Sequence, residues 1–81
     1  MTRQEIIDKL QPIAQNVFAQ PNMELNDNLC AANTPSWTSL TFTQFLTETE
    51  NVFGIKFKIM EILQMQTMGA IIDTILSHLS A

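Results

Sequence analysis

Apolar residues recur at helical spacing in four stretches of the chain. In the first, Ile6, Ile7, Leu10, Ile13, Ala14, Val17 and Phe18 form one stripe. The residues ahead of it, Thr2-Arg3-Gln4-Glu5, read as a capping box, in which Thr2 bonds the amide three residues on and Glu5 reaches back. Pro12 lies inside this stretch. It removes one amide donor and crowds the previous turn, which predicts a bend near Asp8 to Leu10 without a break. The second stretch runs from about Ser39 to Phe53, with Leu40, Phe45, Leu46, Thr49 and Phe53 as its expected inner stripe and Gly54 placed to end it. Ile59 to Met65 reads as a short third helix. Thr67 then caps a fourth, where Met68, Ile71, Ile72, Ile75, Leu76 and Leu79 give the clearest amphipathic pattern in the chain.

Between the first two helices, residues 19–38 hold Pro21, Asn22, Asn26, Asp27, Asn28, Asn33, Thr34, Pro35 and Ser36, all turn formers. An ordered loop of that length in a small domain is often functional, and Leu25 and Leu29 are expected to tie it to the core. Ile55-Lys56-Phe57-Lys58 alternates apolar and basic as a strand does. No second strand is evident to pair with it, so an extended connection is expected. The pattern predicts an all-α fold: a single-domain four-helix bundle over residues 1–81, with a long first loop and a short third helix.

Composition narrows the function. Hydrophobic residues make up 46% of the 81, too many for a disordered chain. No apolar run reaches the ~20 residues of a membrane span, and Met1 to Glu5 show no secretory pattern. The net charge of −4 opposes binding to nucleic acid or to an anionic membrane, both of which select basic patches. Cys30 is the single cysteine, so neither an internal disulfide nor a thiolate metal site is expected, which suits a reducing cytoplasm. A freestanding monomer is expected.

The informative stretch is Thr34-Pro35-Ser36-Trp37-Thr38-Ser39-Leu40, followed by a helix closing in Glu48-Thr49-Glu50-Asn51-Val52-Phe53-Gly54-Ile55. With Thr67-Met68-Gly69 opening the last helix at matching distance, the whole chain resembles an acyl carrier protein. It is most like the freestanding carriers of polyketide-type pathways. The resemblance implies that Ser39 accepts 4′-phosphopantetheine, transferred from coenzyme A by a separate phosphopantetheinyl transferase. It further implies that the arm's thiol carries acyl groups as thioesters for fatty-acid- or polyketide-type biosynthesis, and that the carrier itself is not an enzyme. Partners would be that transferase and the acyl-transferring or condensing enzymes. Elementary physics agrees: a serine on the first turn of a helix stands near unpaired amides, where a phosphodiester is favoured.

The chain also departs from the family pattern. Thr38 stands where an Asp usually precedes the serine, and Ser36 replaces a Gly. Thr41, Gln44 and Asn51 occupy positions that are often acidic, which leaves Glu48 and Glu50 to steer a basic partner. Ile59 and Met60 stand where the third helix often carries acids, Thr49 where the inner face is usually aliphatic, and Val52 where a charge is common. These changes shift the expected partner contact from charge toward apolar surface. Trp37, Thr38, Leu40, Glu48, Glu50 and Met60 are the candidate partner-binding residues. For Trp37 the alternative is an anchor that holds the loop on the bundle. Ile59, Met60 and Ile62 are candidates for lining an acyl channel, with ordinary core packing as the other reading, and Met65 shares that choice. His78 is expected near a helix C-terminus and Cys30 as an inert loop residue. Two other functions stay open: an aminoacyl or peptidyl carrier, and a carrier-like interaction module that has lost the arm.

Overall fold

The structure, a computed structural model, describes residues 1–80. Four helices follow in order: α1 (Arg3–Val17), α2 (Ser39–Phe53), α3 (Ile59–Gln64) and α4 (Met68–Ser80). The fold is all-α. The Ile55–Lys58 segment is an extended connection, with Ile55 and Phe57 half-buried against the core.

Each start follows from local chemistry. The Thr2 hydroxyl accepts from the Glu5 amide at 3.2 Å, and the Glu5 carboxylate accepts from the Thr2 amide at 2.8 Å. These bonds satisfy two amides that no helix can satisfy itself, and they hold the Glu5 carboxyl below its ordinary range. α1 runs through Pro12 unbroken. Gly54 ends α2 in the left-handed region (φ 66°), where its amide and that of Ile55 both donate to the Glu50 carbonyl. Thr67 caps α4 through a 3.2 Å bond from the Ala70 amide.

The core lies between α1, α2 and α4. α1 contributes Ile6, Leu10 and Ala14, with Phe18 just beyond its end; α2 adds Phe45 and Leu46, and α4 adds Met68, Ile71, Ile72 and Ile75. At roughly 1.5–3 kcal/mol for each large side chain, this cluster supplies the main drive to fold. Thr49, a polar residue on the inner face, is fully buried and donates to the Phe45 carbonyl at 2.7 Å, so it leaves no orphaned hydroxyl. Leu40 corrects the expected inner stripe of α2: it is 67% exposed.

The long loop is pinned at its middle. Leu25 and Leu29 are half-buried against the core, as expected. The Leu29 and Asp27 carbonyls accept from the Met68 and Gly69 amides at 2.8 and 3.1 Å, so the loop satisfies the first turn of α4. Gly69 permits this approach, since a Cβ there would lie 3.0 Å from the Asp27 Cβ and 3.1 Å from its carbonyl oxygen. Arg3 bonds Asp27 at 2.7 Å and also Asp73, tying α1, the loop and α4 together at one corner.

Candidate functional site

The first turn of α2 is built by threonines. Thr38, just ahead of the helix, accepts from the Thr41 amide at 3.2 Å, and Thr41 Oγ1 accepts from the Thr38 amide at 2.8 Å. Thr41 Oγ1 also donates to the Ser36 carbonyl at 2.6 Å, so one hydroxyl fastens both the helix and the loop before it. This cap needs no charge and does not use the Ser39 hydroxyl. The Ser39 carbonyl accepts from the Thr43 hydroxyl at 2.8 Å, a bond within the helix and outside the cap. The Ser39 side chain stands exposed at the first position of the helix. No acid lies in that first turn, so the positive end of the helix is unneutralised.

Behind Ser39 the loop turns inward. The Trp37 amide donates to the Thr34 carbonyl at 2.9 Å, and Thr34 itself is buried. The Trp37 ring stacks on Phe18 at 5.4 Å and on Phe42 at 5.8 Å, while Phe18 also meets Phe45 at 5.5 Å. Each such aromatic pair adds about 0.5–1.5 kcal/mol beyond its buried area. Of the two roles expected for Trp37, the structure places it as the anchor: it is nearly sealed, and it fixes where the loop hands over to α2.

A groove of about 340 Å³ opens beside Ser39 between the loop, α2 and α3. Trp37 and Phe42 form one side, Ile62, Leu63 and Met65 the other, and Gln66 and Thr38 supply polar edges. Ile62 and Met65 were candidates for such a channel. Ile59 and Met60 were too, but they stand 76% and 68% exposed and line no part of the groove. Phe42 and Leu63 line the groove as well and were not expected from the sequence. The available signals were Phe42, three residues after Ser39, and Leu63, one turn after Ile59.

No family model, curated protein or solved structure matches this chain.

The other candidate residues scatter. Glu48 is exposed on α2. Glu50 is half-buried, and its carboxylate accepts from the Phe57 amide at 2.8 Å, which clips the connection to α2. That bond gives Glu50 a structural task that its expected partner role did not include. Leu40 and Met60 both face solvent. His78 sits 3.0 and 3.1 Å from the two Glu61 carboxylate oxygens and meets Phe57 edge-on at 5.8 Å. Glu61 also accepts from the Lys58 amide at 2.8 Å, and these contacts, the amide first, hold its carboxyl below the usual range. Cys30 is half-buried in the loop, paired through its backbone with Thr67. Among the described residues no group of three or more His, Cys, Asp or Glu is placed to hold a metal ion, and no helix is long and apolar enough to cross a membrane.

The residues at the first turn of α2 fit a covalently attached phosphate. An uncommitted hydroxyl points outward, an unneutralised helix start favours negative charge by about 0.3–1 kcal/mol, and an apolar groove lies alongside.

Proposed function

We propose that this chain is a carrier for acyl groups in a fatty-acid- or polyketide-type pathway of the cytoplasm. Ser39 bears a 4′-phosphopantetheine arm, whose thiol supplies the thioester linkage to the acyl group. The observation that carries this reading is the exposed Ser39 hydroxyl at the first position of α2, left free by a threonine cap and opening onto the groove. Thr38 and Thr41 hold the turn that presents the hydroxyl. Trp37 locks the loop behind it, and Phe42, Ile62 and Leu63 offer apolar surface next to it. The serine needs no base of its own, because a phosphopantetheinyl transferase performs the transfer from coenzyme A. Acyl-transferring and condensing enzymes then receive the loaded carrier.

Incubation with coenzyme A and a broad-specificity transferase tests the reading by intact mass. The wild type is expected to gain one phosphopantetheine group and Ser39→Ala to gain none. No gain with several transferases contradicts the proposal and supports the carrier-like interaction module, in which the neutral Thr38 cap has replaced the acid that would serve modification.

A further inference from the structure

Ser36 lies just ahead of Ser39 in the chain, and two side chains hold it. Its hydroxyl accepts from the Gln20 side-chain amide at 3.2 Å, where Gln20 stands just past the end of α1. Its carbonyl accepts from the Thr41 hydroxyl at 2.6 Å, on the first turn of α2. The loop is therefore clamped to both helices at the residue before the sealed Trp37. The clamp depends on these side chains. A glycine at 36 has no hydroxyl for Gln20, and an ionised acid at 41 has no proton for the Ser36 carbonyl.

The Thr41 hydroxyl has one proton and two carbonyls in reach, that of Ser36 at 2.6 Å and that of Thr38 at 3.3 Å. The proton goes to the nearer oxygen. A lone pair of the same atom accepts from the Thr38 amide at 2.8 Å. One oxygen thus fixes the residues on both sides of Trp37, accepting from one and donating to the other. A carboxylate at 41 would keep half of this. It would accept from the Thr38 amide, with its charge favoured near the helix start, but it would meet the Ser36 carbonyl oxygen as acceptor against acceptor.

We propose that Thr41 and Gln20 are positioning residues for group transfer to Ser39, acting through Ser36. The proposal rests on the carrier reading. In that transfer the Ser39 oxygen bonds the phosphorus next to the pantetheine of coenzyme A. The bond from that phosphorus to the bridging oxygen breaks, the adenine nucleotide leaves with the bridging oxygen, and the serine proton passes to a base of the transferase. Attack of this kind needs the oxygen held in a narrow range of position and angle. The cap orders α2, but Ser39 stands at the joint between helix and loop, so the loop must be ordered as well. The clamp does this without charge, in a first turn that holds no acid. Its loss spreads the direction of the hydroxyl and lowers kcat. A side chain that worked by touching the transferase would raise KM instead.

Steady-state transfer from coenzyme A by a broad-specificity transferase tests the proposal, with the Ser36 carbonyl carbon resonance as a second readout. Thr41→Val removes both bonds of the hydroxyl and is expected to lower kcat roughly tenfold with KM nearly unchanged. Thr41→Ser keeps both bonds and rescues the rate. Thr41→Asp separates clamp from cap. It keeps the Thr38 amide protected from exchange and adds an acid where the helix favours one, yet kcat falls roughly fivefold, the worth of one hydrogen bond. Gln20→Leu breaks the other arm of the clamp, with a loss of roughly threefold. The Ser36 carbonyl resonance moves upfield in the Val and Asp variants and stays in place in the Ser variant. Circular dichroism checks that each variant keeps its helices. A faster Asp variant, a raised KM with kcat intact, a Ser variant that fails to rescue, or a Ser36 resonance that ignores Thr41→Asp would each overturn the proposal. A wild type that takes no arm sinks the carrier reading and this role with it. A wild type that takes the arm, with every variant equally fast, sinks the role alone.

Discussion

α4 and α3 are built from similar residues and use them in opposite ways. α4 sinks Met68, Ile71, Ile72 and Ile75 completely, lies against α1, and takes the loop's carbonyls onto its first amides. α3 has four apolar residues in six, buries none fully, and makes no comparable helix–helix contact. It is held at its ends: Glu61 reaches Lys58 and His78 at one side, and Met65 plunges into the core just past the other. A helix of fewer than two turns cannot stabilise itself, so its attachments decide which way it faces. Apolar spacing thus marks core only where a neighbour covers it. Where none does, the same pattern stays exposed.

The contrast breaks first at the core. Ile72→Ala is expected to cost about 2–5 kcal/mol, read as a lower urea midpoint, because it leaves a cavity in a fully enclosed site. Ile59→Ala should change stability by less than about 0.5 kcal/mol. Equal losses would make α3 part of the core and end the division.

A smaller effect probes how α4 is held. Gly69→Ala forces a methyl group against the Asp27 backbone and is expected to cost about 1–3 kcal/mol. Its amide-exchange protection should fall at the loop and the first turn of α4, and not at α3. An unchanged midpoint would mean that the loop yields freely there.

The smallest effect belongs to α3. Its Glu61 carboxyl is held below its ordinary value of 4.5, first by the Lys58 amide and then by His78. A lowered folded-state value stabilises above the unfolded value and is lost as pH falls through the folded one. Acidification should therefore shift the amide resonances of residues 59–64 only below the ordinary value of 4.5, later than for an unperturbed carboxyl. Glu61→Gln should abolish that late step, and a step that survives the substitution belongs to another group.

Much of the fold was legible because its signals are local. Capping residues stand within three positions of the amides they serve, so Thr2, Thr67 and Gly54 marked helix ends, and the start of α2 at Ser39 matches the reading. The spacing of α4 marked its buried face. What sequence did not show depends on residues far apart. Arg3 meets Asp27 and Asp73, Glu61 meets His78, and Gly69 lies under Asp27 only once the loop has folded across α4. Leu40 read as inner because it is apolar and on the helix. It stands outward, while Phe42, two positions on, takes the inward place against Trp37. At the site, Ser39 was legible from the motif. The groove was not, since Phe42 and Leu63 face each other only after α3 folds back. Glu50 read as a free surface acid because its hydrogen bond to the Phe57 amide depends on the path of the connection.

The central claim is that one hydroxyl, Ser39, takes the arm. Fragmentation of the protein after treatment with coenzyme A and a transferase localises any added group to a single residue. The group is expected on Ser39, with Ser36, whose hydroxyl accepts from Gln20, left unmodified. A group found on Ser36 or another hydroxyl, or a chain that returns unmodified, would contradict it.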